Sequence, residues 1–329
     1  MSGFPPDKAP GVTATVFLVG PTGVGKTEAS LWLAGRINAE IVYADSMSVY
    51  RGTDIGTAKP SPEQRNQVPH HLIDVVEPTQ AFSVGMYRKL ADAAISEIHG
   101  KGKPALVCGG TGLYIRSLVD GLFNGPEADW KLRGELLAEA ERNGPETLHA
   151  RLAEVDPKAA EKISPRDLRR IVRALEVHSK TRRPISRFQV QWKRKRPVPP
   201  MFGLTMRREA LYHTIEKRVE DMFRRGLVEE TRRLLAGGLR ENRTAMQAIG
   251  YKEVVGYLDG AYSLDEAKRV LKRNTRRYAK RQLTWFRKDD RIRWYSFDDY
   301  GTREQLYMAL LEAVQELIGK AGCEPQGAL

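Results

Sequence analysis

One short stretch constrains this chain more than any other: Gly20–Thr27, with the sequence GPTGVGKT. The apolar run TATVFLV at 13–19 precedes it and reads as a buried strand, and a helical pattern follows it. In the spacing G-x-x-x-x-G-K-[ST], glycines let backbone N–H groups converge on phosphate oxygens at the start of a helix, where a lysine adds charge and a hydroxyl can bind Mg²⁺. We therefore predict a phosphate-binding loop formed by Gly20, Pro21, Thr22, Gly23, Val24, Gly25, Lys26 and Thr27, with Thr27 as the metal ligand.

Strand and helix patterns alternate along the rest of the chain. Apolar runs at 40–44, 71–76, 104–110, 201–206 and 291–297 indicate further strands, and helical patterns separate the early ones. This alternation predicts an α/β fold, a P-loop NTPase-like parallel sheet flanked by helices, whose ligands lie at the carboxyl ends of the strands. We expect a disordered leader at 1–12, the first part of the core at 13–125, an all-helical insertion at 126–200, the rest of the core and the C-terminal helices at 201–320, and a tail at 321–329.

Charge is divided unevenly between the two parts of the chain. Residues 1–127 contain 11 basic and 12 acidic residues, whereas the remainder contains 43 and 29, for a net charge of +13 overall. A basic region of this kind is typical of a polyanionic partner. We therefore predict that the first part binds a small phosphate ligand and that the second part binds nucleic acid.

Other features exclude some classes of protein. Cys108 and Cys323 lie far apart, which does not support a disulfide framework or a cysteine-based zinc site. There is no apolar run long enough to span a membrane, and the N-terminus lacks the apolar segment of a signal peptide. These observations favour a cytoplasmic protein.

The phosphate loop alone leaves its ligand open. An ATPase needs an acidic residue at a strand end to hold the magnesium shell, but the strand at 104–110 ends in glycines and Asp74 lies within its predicted strand. The best-placed carboxylate is Asp45, directly after the strand at 40–44. It could be the base of a small-molecule kinase, or it could belong to a plain strand-end turn. The loop could equally hold a pyrophosphate that leaves as a product.

Longer motifs resemble one family. ADSMSVYRGTDIGTAKP (44–60), PHHLIDVVEP (69–78), GGTGLYIRSL (109–118), RRIVRALEV (169–177), AIGYKE (248–253) and AKRQLTWFR (279–287) are similar, in this order, to the tRNA dimethylallyltransferases, also called tRNA isopentenyltransferases. The chain lacks the Cys/His zinc-finger extension of eukaryotic members, so it resembles the bacterial type. The resemblance implies transfer of a dimethylallyl group from dimethylallyl pyrophosphate to the exocyclic amine of the adenosine immediately 3′ of the tRNA anticodon.

The resemblance also implies roles for individual residues. Asp45 would take the proton of the amine, Thr111 would lie near the reacting groups, and Arg218 would reach the donor phosphates; the alternative for Arg218 is a solvated helix face or an ordinary ion pair. The implied tRNA contacts lie in the segments 45–48, 169–173 and 247–252, where we name Asp45, Ser46, Met47, Ser48, Arg169, Arg170, Arg173, Gln247, Gly250, Tyr251 and Lys252. Ile171, Val172 and the aromatic residues of 270–293 are expected to pack in a core.

Two competing interpretations remain from the residues alone. An ATP-dependent small-molecule kinase would use the loop and Asp45 but would give the basic insertion no role. A non-catalytic RNA-binding protein would use the basic half but would not need Asp45, Lys26 and Thr27. We expect a tRNA-binding monomer that has no membrane partner and uses Mg²⁺ as its cofactor.

Overall fold

The computed structural model of this chain describes residues 14–122, 125–189 and 199–321. The predicted leader at 1–12, residues 190–198 of the predicted insertion and nearly all of the predicted tail lie outside these residues. Contacts divide the chain into two compact units. One consists of Met1–Val119 with Val198–Leu329, and the other of Asp120–Pro197.

The first unit is built on one parallel sheet of six strands in the order β3-β2-β4-β1-β5-β6. The strands are β1 Thr15–Val19, β2 Glu40–Ala44, β3 His70–His71, β4 Ala105–Gly109, β5 Met201–Thr205 and β6 Ile292–Ser296. The predicted α/β class is confirmed. Successive side chains of a strand point to opposite faces, and both faces of this sheet are apolar, as expected when helices cover each side.

The predicted strand at 71–76 is wrong in extent, because pairing stops at His71. Leu72 and Asp74 have φ of 66° and 57°, in the left-handed region that an extended strand excludes. The chain turns here, and the Asp74 carboxylate accepts hydrogen bonds from the Lys59 Nζ at 2.5 Å and the Arg65 Nη1 at 2.8 Å.

Helices occupy both faces of the sheet and the second unit. In chain order they are α1 Lys26–Ile37, α2 Pro62–Gln67, α3 Val84–Gly100, α4 Gly112–Val119, α5 Trp130–Asn143, α6 Pro145–Val155, α7 Pro157–Ala160, α8 Leu168–Thr181, α9 Ile185–Gln189, α10 Arg208–Arg224, α11 Leu227–Ala236, α12 Tyr251–Leu258, α13 Leu264–Phe286 and α14 Arg303–Ala321. None of these helices is both long enough and apolar enough to cross a membrane, within the described residues.

Each face of the sheet has its own core. On one face, strand residues such as Phe17, Val42 and Val107 pack with helices α3, α4 and α11–α13. On the other, Leu18, Leu106 and their neighbours pack with α1, α10 and α14. The second unit has a separate core that includes Ile171 and Val172, which are 0% and 4% exposed, so the prediction that these two residues are core residues is confirmed.

A buried carboxylate on α11 holds the loop that follows β2. Glu230 is 2% exposed, and its oxygens accept hydrogen bonds from the backbone N–H groups of Asp54, Ile55 and Gly56 at 2.9–3.2 Å. The Tyr251 hydroxyl donates to the same carboxylate at 2.6 Å. A buried polar group must find partners, and here one side chain satisfies four donors at once. Glu230 therefore fixes the path of the segment that begins at Asp45.

We predict that Glu230→Ala lowers the free energy of unfolding by about 2–4 kcal/mol, because it leaves buried donors without acceptors. Thermal and urea unfolding measure the change. The matched control is Glu229→Ala, which removes an exposed carboxylate that pairs with Arg232 and should change stability by less than about 0.5 kcal/mol. Equal effects of the two substitutions would contradict the role of Glu230.

Candidate active site

Three predicted site segments lie at one edge of the sheet. Strands β2, β4 and β1 are neighbours in the sheet and run parallel, so their carboxyl ends are adjacent. The phosphate loop follows β1, Asp45 follows β2, and Thr111 follows β4 after Gly110. Sheet topology alone therefore brings together the loop, the carboxylate and the threonine that the sequence predicted separately.

The phosphate loop has the backbone shape that its glycines permit. Gly23 and Gly25 adopt φ of 86° and 96°, a conformation that costs other residues energy. A methyl group on Gly23 would also lie 2.9 Å from the Ile215 side chain. Helix α1 begins at Lys26 and has no side-chain cap at its N-terminus. The first N–H groups of the helix are therefore available to an anion, which the positive end of the helix dipole also attracts.

The ammonium group of Lys26 lies among other charged groups of the site. Its Nζ donates to the Pro21 carbonyl oxygen at 2.8 Å. Burial lowers the pKa of Lys26 to about 8, the positive charge of Arg218 adds to this effect, and Cys108 and Asp45 oppose it. A lysine with this pKa gains a full charge when a phosphate binds beside it.

Arg218, on α10, points at the same loop. Its Nη2 donates a hydrogen bond to the Thr22 hydroxyl. Burial lowers the pKa of Arg218, whereas Tyr43 and the negative charge of Asp45 favour the charged form. The alternative of a solvated helix face does not hold, because this side chain is half-buried and reaches the loop.

Asp45 forms a strand-end turn, one of the two interpretations that the sequence left open. Its Oδ1 accepts hydrogen bonds from the backbone N–H groups of Met47 at 2.8 Å and Ser48 at 3.1 Å, which is a strand-end turn. Among the described residues, none donates a hydrogen bond to its Oδ2. One carboxylate oxygen is thus fixed by the turn, and the other is available to a substrate proton.

Thr111 holds Asp45 from both sides along the chain. The Thr111 N–H donates to the carbonyl oxygen of Ala44, the residue before Asp45, at 3.1 Å. The Ser46 N–H, on the residue after Asp45, donates to the Thr111 Oγ1 at 3.1 Å. The position of the carboxylate is therefore set by the end of β4 as well as by its own strand.

Helix α13 contributes two site residues that sequence reasoning missed. The Gln282 carboxamide bonds to the main chain of both Thr22 and Gly110, and the Tyr278 hydroxyl interacts with Thr111 and Gln282. Burial raises the pKa of Tyr278, and the nearby Asp45 charge adds to the effect. The available signal was a glutamine four residues after a tyrosine on a helix, which places both on one face. Phe286 on the same helix is 2% exposed, so the expectation of core packing is confirmed for that aromatic residue, whereas Trp285 is 39% exposed and the expectation is wrong for it.

The predicted RNA-contact segments contain both accessible and buried side chains. Arg169, Arg170, Gln247 and Lys252 are exposed, and Ser46 and Met47 are partly exposed. By contrast, the side chains of Ser48 and Tyr251 are 0% exposed, and the buried Gly250 donates its N–H to Glu253 at 2.8 Å.

We correct the prediction for Ser48, Gly250 and Tyr251. Groups with little or no exposed surface offer no side-chain contact to a macromolecule that docks on the folded protein. These three residues support their segments from inside, and the segments themselves stay predicted RNA contacts.

Arg173 also has a role that the sequence interpretation did not include. It donates hydrogen bonds to the Glu176 carboxylate and to the Pro126 carbonyl oxygen. Glu176 is 0% exposed and also accepts two hydrogen bonds from Arg133 at 2.8 Å. Burial raises the pKa of Glu176, but the hydrogen bonds from Arg133, Asp129 and Arg173 lower it further, so the net direction is down. Arg173 therefore pairs with a buried carboxylate although its own side chain is 30% exposed, unlike Arg169 and Arg170.

The oxygen atoms near Thr27 could coordinate Mg²⁺ only if a bound phosphate supplied further oxygen ligands. Its hydroxyl lies 3.5 Å from that of Tyr43, and both are oxygen donors. No group of three or more His, Cys, Asp and Glu residues that could hold a metal occurs among the described residues. Mg²⁺ takes six oxygen ligands and often keeps water and substrate phosphates among them. The site therefore fits Mg²⁺ that arrives with a phosphate ligand.

Comparison with known proteins identifies the family. The family model described as IPP transferase matches residues 48–289. A tRNA dimethylallyltransferase of Alkaliphilus oremlandii is 46% identical over 90% of this chain and 96% of its own length. One of Carboxydothermus hydrogenoformans is 50% identical over 85% and 91%.

Solved structures give the same result. A tRNA isopentenylpyrophosphate transferase of Bacillus halodurans has a TM-score of 0.70 and 41% identity, over 94% of this chain and 98% of its own. A eukaryotic dimethylallyltransferase studied acting on tRNA has a TM-score of 0.73 and 27% identity, over 92% and 80%. Matches of this extent over nearly the whole chain place the protein in the tRNA dimethylallyltransferase, or IPP transferase, family.

Proposed function

We propose that this protein transfers a dimethylallyl group from dimethylallyl pyrophosphate to the exocyclic amine of the adenosine immediately 3′ of the tRNA anticodon, releasing pyrophosphate. The observation that carries the proposal is the carboxylate of Asp45, held by the turn through Oδ1 and available at Oδ2, beside a phosphate loop. Relatives that match most of the chain have names that give the same reaction class.

The chemistry requires a base because the lone pair of an adenine amine is delocalised into the ring. As nitrogen attacks the allylic carbon, the Asp45 Oδ2 takes a proton from the amine. The carbon–oxygen bond of the donor breaks, and its electron pair leaves with the pyrophosphate. A carbon–nitrogen bond replaces the carbon–oxygen bond, the amine proton moves to Asp45, and no phosphoryl group is transferred.

Charge on the departing pyrophosphate is stabilised by groups that are already in place. The N–H groups at the start of α1, the Lys26 ammonium and the Arg218 guanidinium converge on the loop. Preorganised donors of this kind act most strongly where charge develops in the transition state. Thr27 would hold Mg²⁺ together with pyrophosphate oxygens, and the ion when bound would neutralise part of that charge.

RNA binding requires a different set of residues. The target base must leave the stack of the anticodon loop to reach Asp45, which exposes the phosphate backbone to the protein. The exposed Arg169 and Arg170 of α8 and Lys252 of α12 are suited to phosphate contacts. We further propose that the enzyme works on cytoplasmic tRNA as a monomer.

The direct test asks which labelled group the protein transfers, and to which acceptor. The protein is incubated with dimethylallyl pyrophosphate or ATP, each labelled, with and without tRNA. We expect the prenyl label to move to tRNA only when both substrates are present. ADP formed in step with a modified product would instead support a small-molecule kinase, and binding of tRNA with no transfer would support an RNA-binding protein.

We predict that Asp45→Asn lowers the rate of prenyl transfer by about a hundredfold to ten-thousandfold, the usual size of a general-base effect. Asparagine keeps an oxygen that can accept from Met47 and Ser48, so the turn is preserved. Single-turnover rates measure the loss, and tRNA affinity and melting temperature should stay at wild-type values. Full activity of this variant at neutral pH would refute the role of Asp45 as base.

We predict that donor affinity falls as pH rises through about 8. Burial depresses the pKa of Lys26 to about that value, so the free protein loses the ammonium charge above pH 8, whereas the anionic donor needs it. Each pH unit above 8 should weaken binding up to about tenfold, since one pKa unit corresponds to about 1.4 kcal/mol.

Calorimetric titration with dimethylallyl pyrophosphate, without tRNA, measures this dependence. Lys26→Arg is the matched control because the charge of arginine persists through this range. Ionisation of the donor itself affects the wild type and this variant equally, so the difference between their pH profiles reports on Lys26. Identical pH profiles for the wild type and this variant would contradict the assignment to Lys26.

We predict that charge reversal at Arg166, Arg169 and Arg170 weakens tRNA binding and reduces its salt slope by about one unit for each phosphate that the protein no longer binds. These arginines are exposed, so the melting temperature should change little. Arg142→Glu is the control, an exposed arginine of the same unit outside the predicted segment. Arg173→Glu should instead lower the melting temperature, because it opposes the buried Glu176. Unchanged salt slopes in the folded variants would mean that α8 does not hold the tRNA.

A further inference from the structure

We propose that Gln282 is a positioning residue that sets the distance between the pyrophosphate cradle and the base Asp45. The inference rests on the proposed function, because it assigns Gln282 to the same reaction. Gln282 lies on α13, more than 160 residues from either catalytic loop in the sequence, and is 6% exposed. Its Oε1 and Nε2 bond to the main chain of those two loops, and the Tyr278 hydroxyl on the same helix also interacts with the carboxamide.

A carboxamide fits both contacts because it carries one acceptor and one donor group on a single planar unit. Its Oε1 accepts from the Thr22 N–H at 2.8 Å, and its Nε2 donates to the Gly110 carbonyl oxygen at 2.8 Å. A carboxylate could not donate to the carbonyl, and an ammonium could not accept from the N–H. The two contacts also fix the orientation of the amide.

One contact leads to the base. Gly110 precedes Thr111, which holds Ala44 and Ser46 on either side of Asp45 at 3.1 Å each. The Gly110 carbonyl held by Gln282 therefore lies one residue before Thr111, whose N–H and Oγ1 make both of these contacts. The Tyr278 hydroxyl, one helical turn before Gln282, interacts with Thr111 as well.

The other contact leads to the leaving group. Thr22 lies in the phosphate loop, and its hydroxyl accepts the hydrogen bond from Arg218. Because Gln282 occupies the Thr22 N–H, this group orients the loop instead of binding phosphate. Gln282 is thus a direct link between the loop after β1 and the loop after β4.

The two glycines that flank Thr111 show how closely α13 approaches. A methyl group on Gly110 would overlap the Gln282 Nε2, and one on Gly112 would overlap the Trp285 indole ring. No positive φ is found at either glycine, so an alanine there would have ordinary backbone geometry and meet only the side chains of α13 and nearby main chain. The segment GGTG requires these glycines because Gln282 and Trp285 fill the space beside them.

A link of this kind acts on the chemical step. Displacement of reacting groups by about 1 Å can cost on the order of a hundredfold in rate, whereas the groups that bind each substrate stay in place. We therefore expect Gln282→Leu, which keeps the size of the side chain and loses both hydrogen bonds, to lower kcat by about 10- to 100-fold. KM for the donor and for tRNA should change less than about threefold, because a loss confined to kcat marks a transition-state effect.

The matched control is Thr275→Val on the same helix. Thr275 is 7% exposed and donates one hydrogen bond within α13, to the Leu271 carbonyl oxygen at 2.8 Å. Its loss should lower stability without changing kcat. Gly110→Ala is a second probe that keeps Gln282 but displaces it, and it should also lower kcat. The double variant Gly110→Ala with Gln282→Leu should lose less than the product of the two single losses, because both disturb one link.

The experiment measures kcat, both KM values and the melting temperature of the wild type and these four variants. A wild type that transfers no prenyl group would contradict the proposed function itself. If the wild type is active and Gln282→Leu has an unchanged kcat, only the inference is overturned. The inference is also overturned if Thr275→Val loses as much kcat as Gln282→Leu when the two variants lose the same stability. If Gln282→Leu does not fold, Gly110→Ala decides alone: a fall in kcat at wild-type KM supports the link, and wild-type kcat refutes it.

Discussion

The hydrogen bonds of Thr111 are the contacts on which the site depends. They tie the end of β4 to the end of β2, before and after Asp45, at the edge of the sheet where the phosphate loop also begins. Adjacent parallel strands put these loops near one another, but strand geometry alone does not place a carboxylate oxygen. Thr111 supplies that placement, and the turn that uses the Asp45 Oδ1 leaves Oδ2 for the amine.

In the proposed reaction the phosphate loop serves a leaving group instead of a transferred phosphoryl group. The loop offers the same physical groups for both purposes: helix N–H groups, a lysine and a hydroxyl. The carboxylate at the neighbouring strand end could serve either reaction as a base, so the family to which the chain belongs decides between them. Lys26, whose pKa burial lowers to about 8, and Arg218, half-buried beside Thr22, add charge where it forms during the reaction.

Local sequence signals predicted part of this arrangement. The spacing GPTGVGKT between a strand and a helix was sufficient for the phosphate loop, and the end of the strand at 40–44 singled out Asp45. The family resemblance supplied the role of Asp45 and the choice of Thr111 and Arg218. The strand predicted at 71–76 was wrong in extent because the backbone turns through positive φ at Leu72 and Asp74. The apolar pattern of the segment does not reveal this backbone conformation.

Contacts between distant residues could not be predicted. Glu230 and Gln282 look like ordinary polar helix residues, and their roles appear only when the fold brings them to backbone groups far away in the sequence. Arg173 was assigned to RNA although Glu176 lies three residues later on the same helix, a spacing that favours an ion pair. That signal was present in the sequence, but it did not tell which arginine of the segment faces a buried carboxylate.

The identity of the bond that breaks tests the central claim most directly. Dimethylallyl pyrophosphate is prepared with ¹⁸O at the oxygen that bridges carbon and phosphorus, and the products of turnover with tRNA are analysed by mass spectrometry. Attack on carbon sends all of the ¹⁸O into the released pyrophosphate and none into the modified tRNA. If ¹⁸O stays attached to the prenyl group, the oxygen–phosphorus bond has broken, and a phosphoryl-transfer role of the loop would replace the one described.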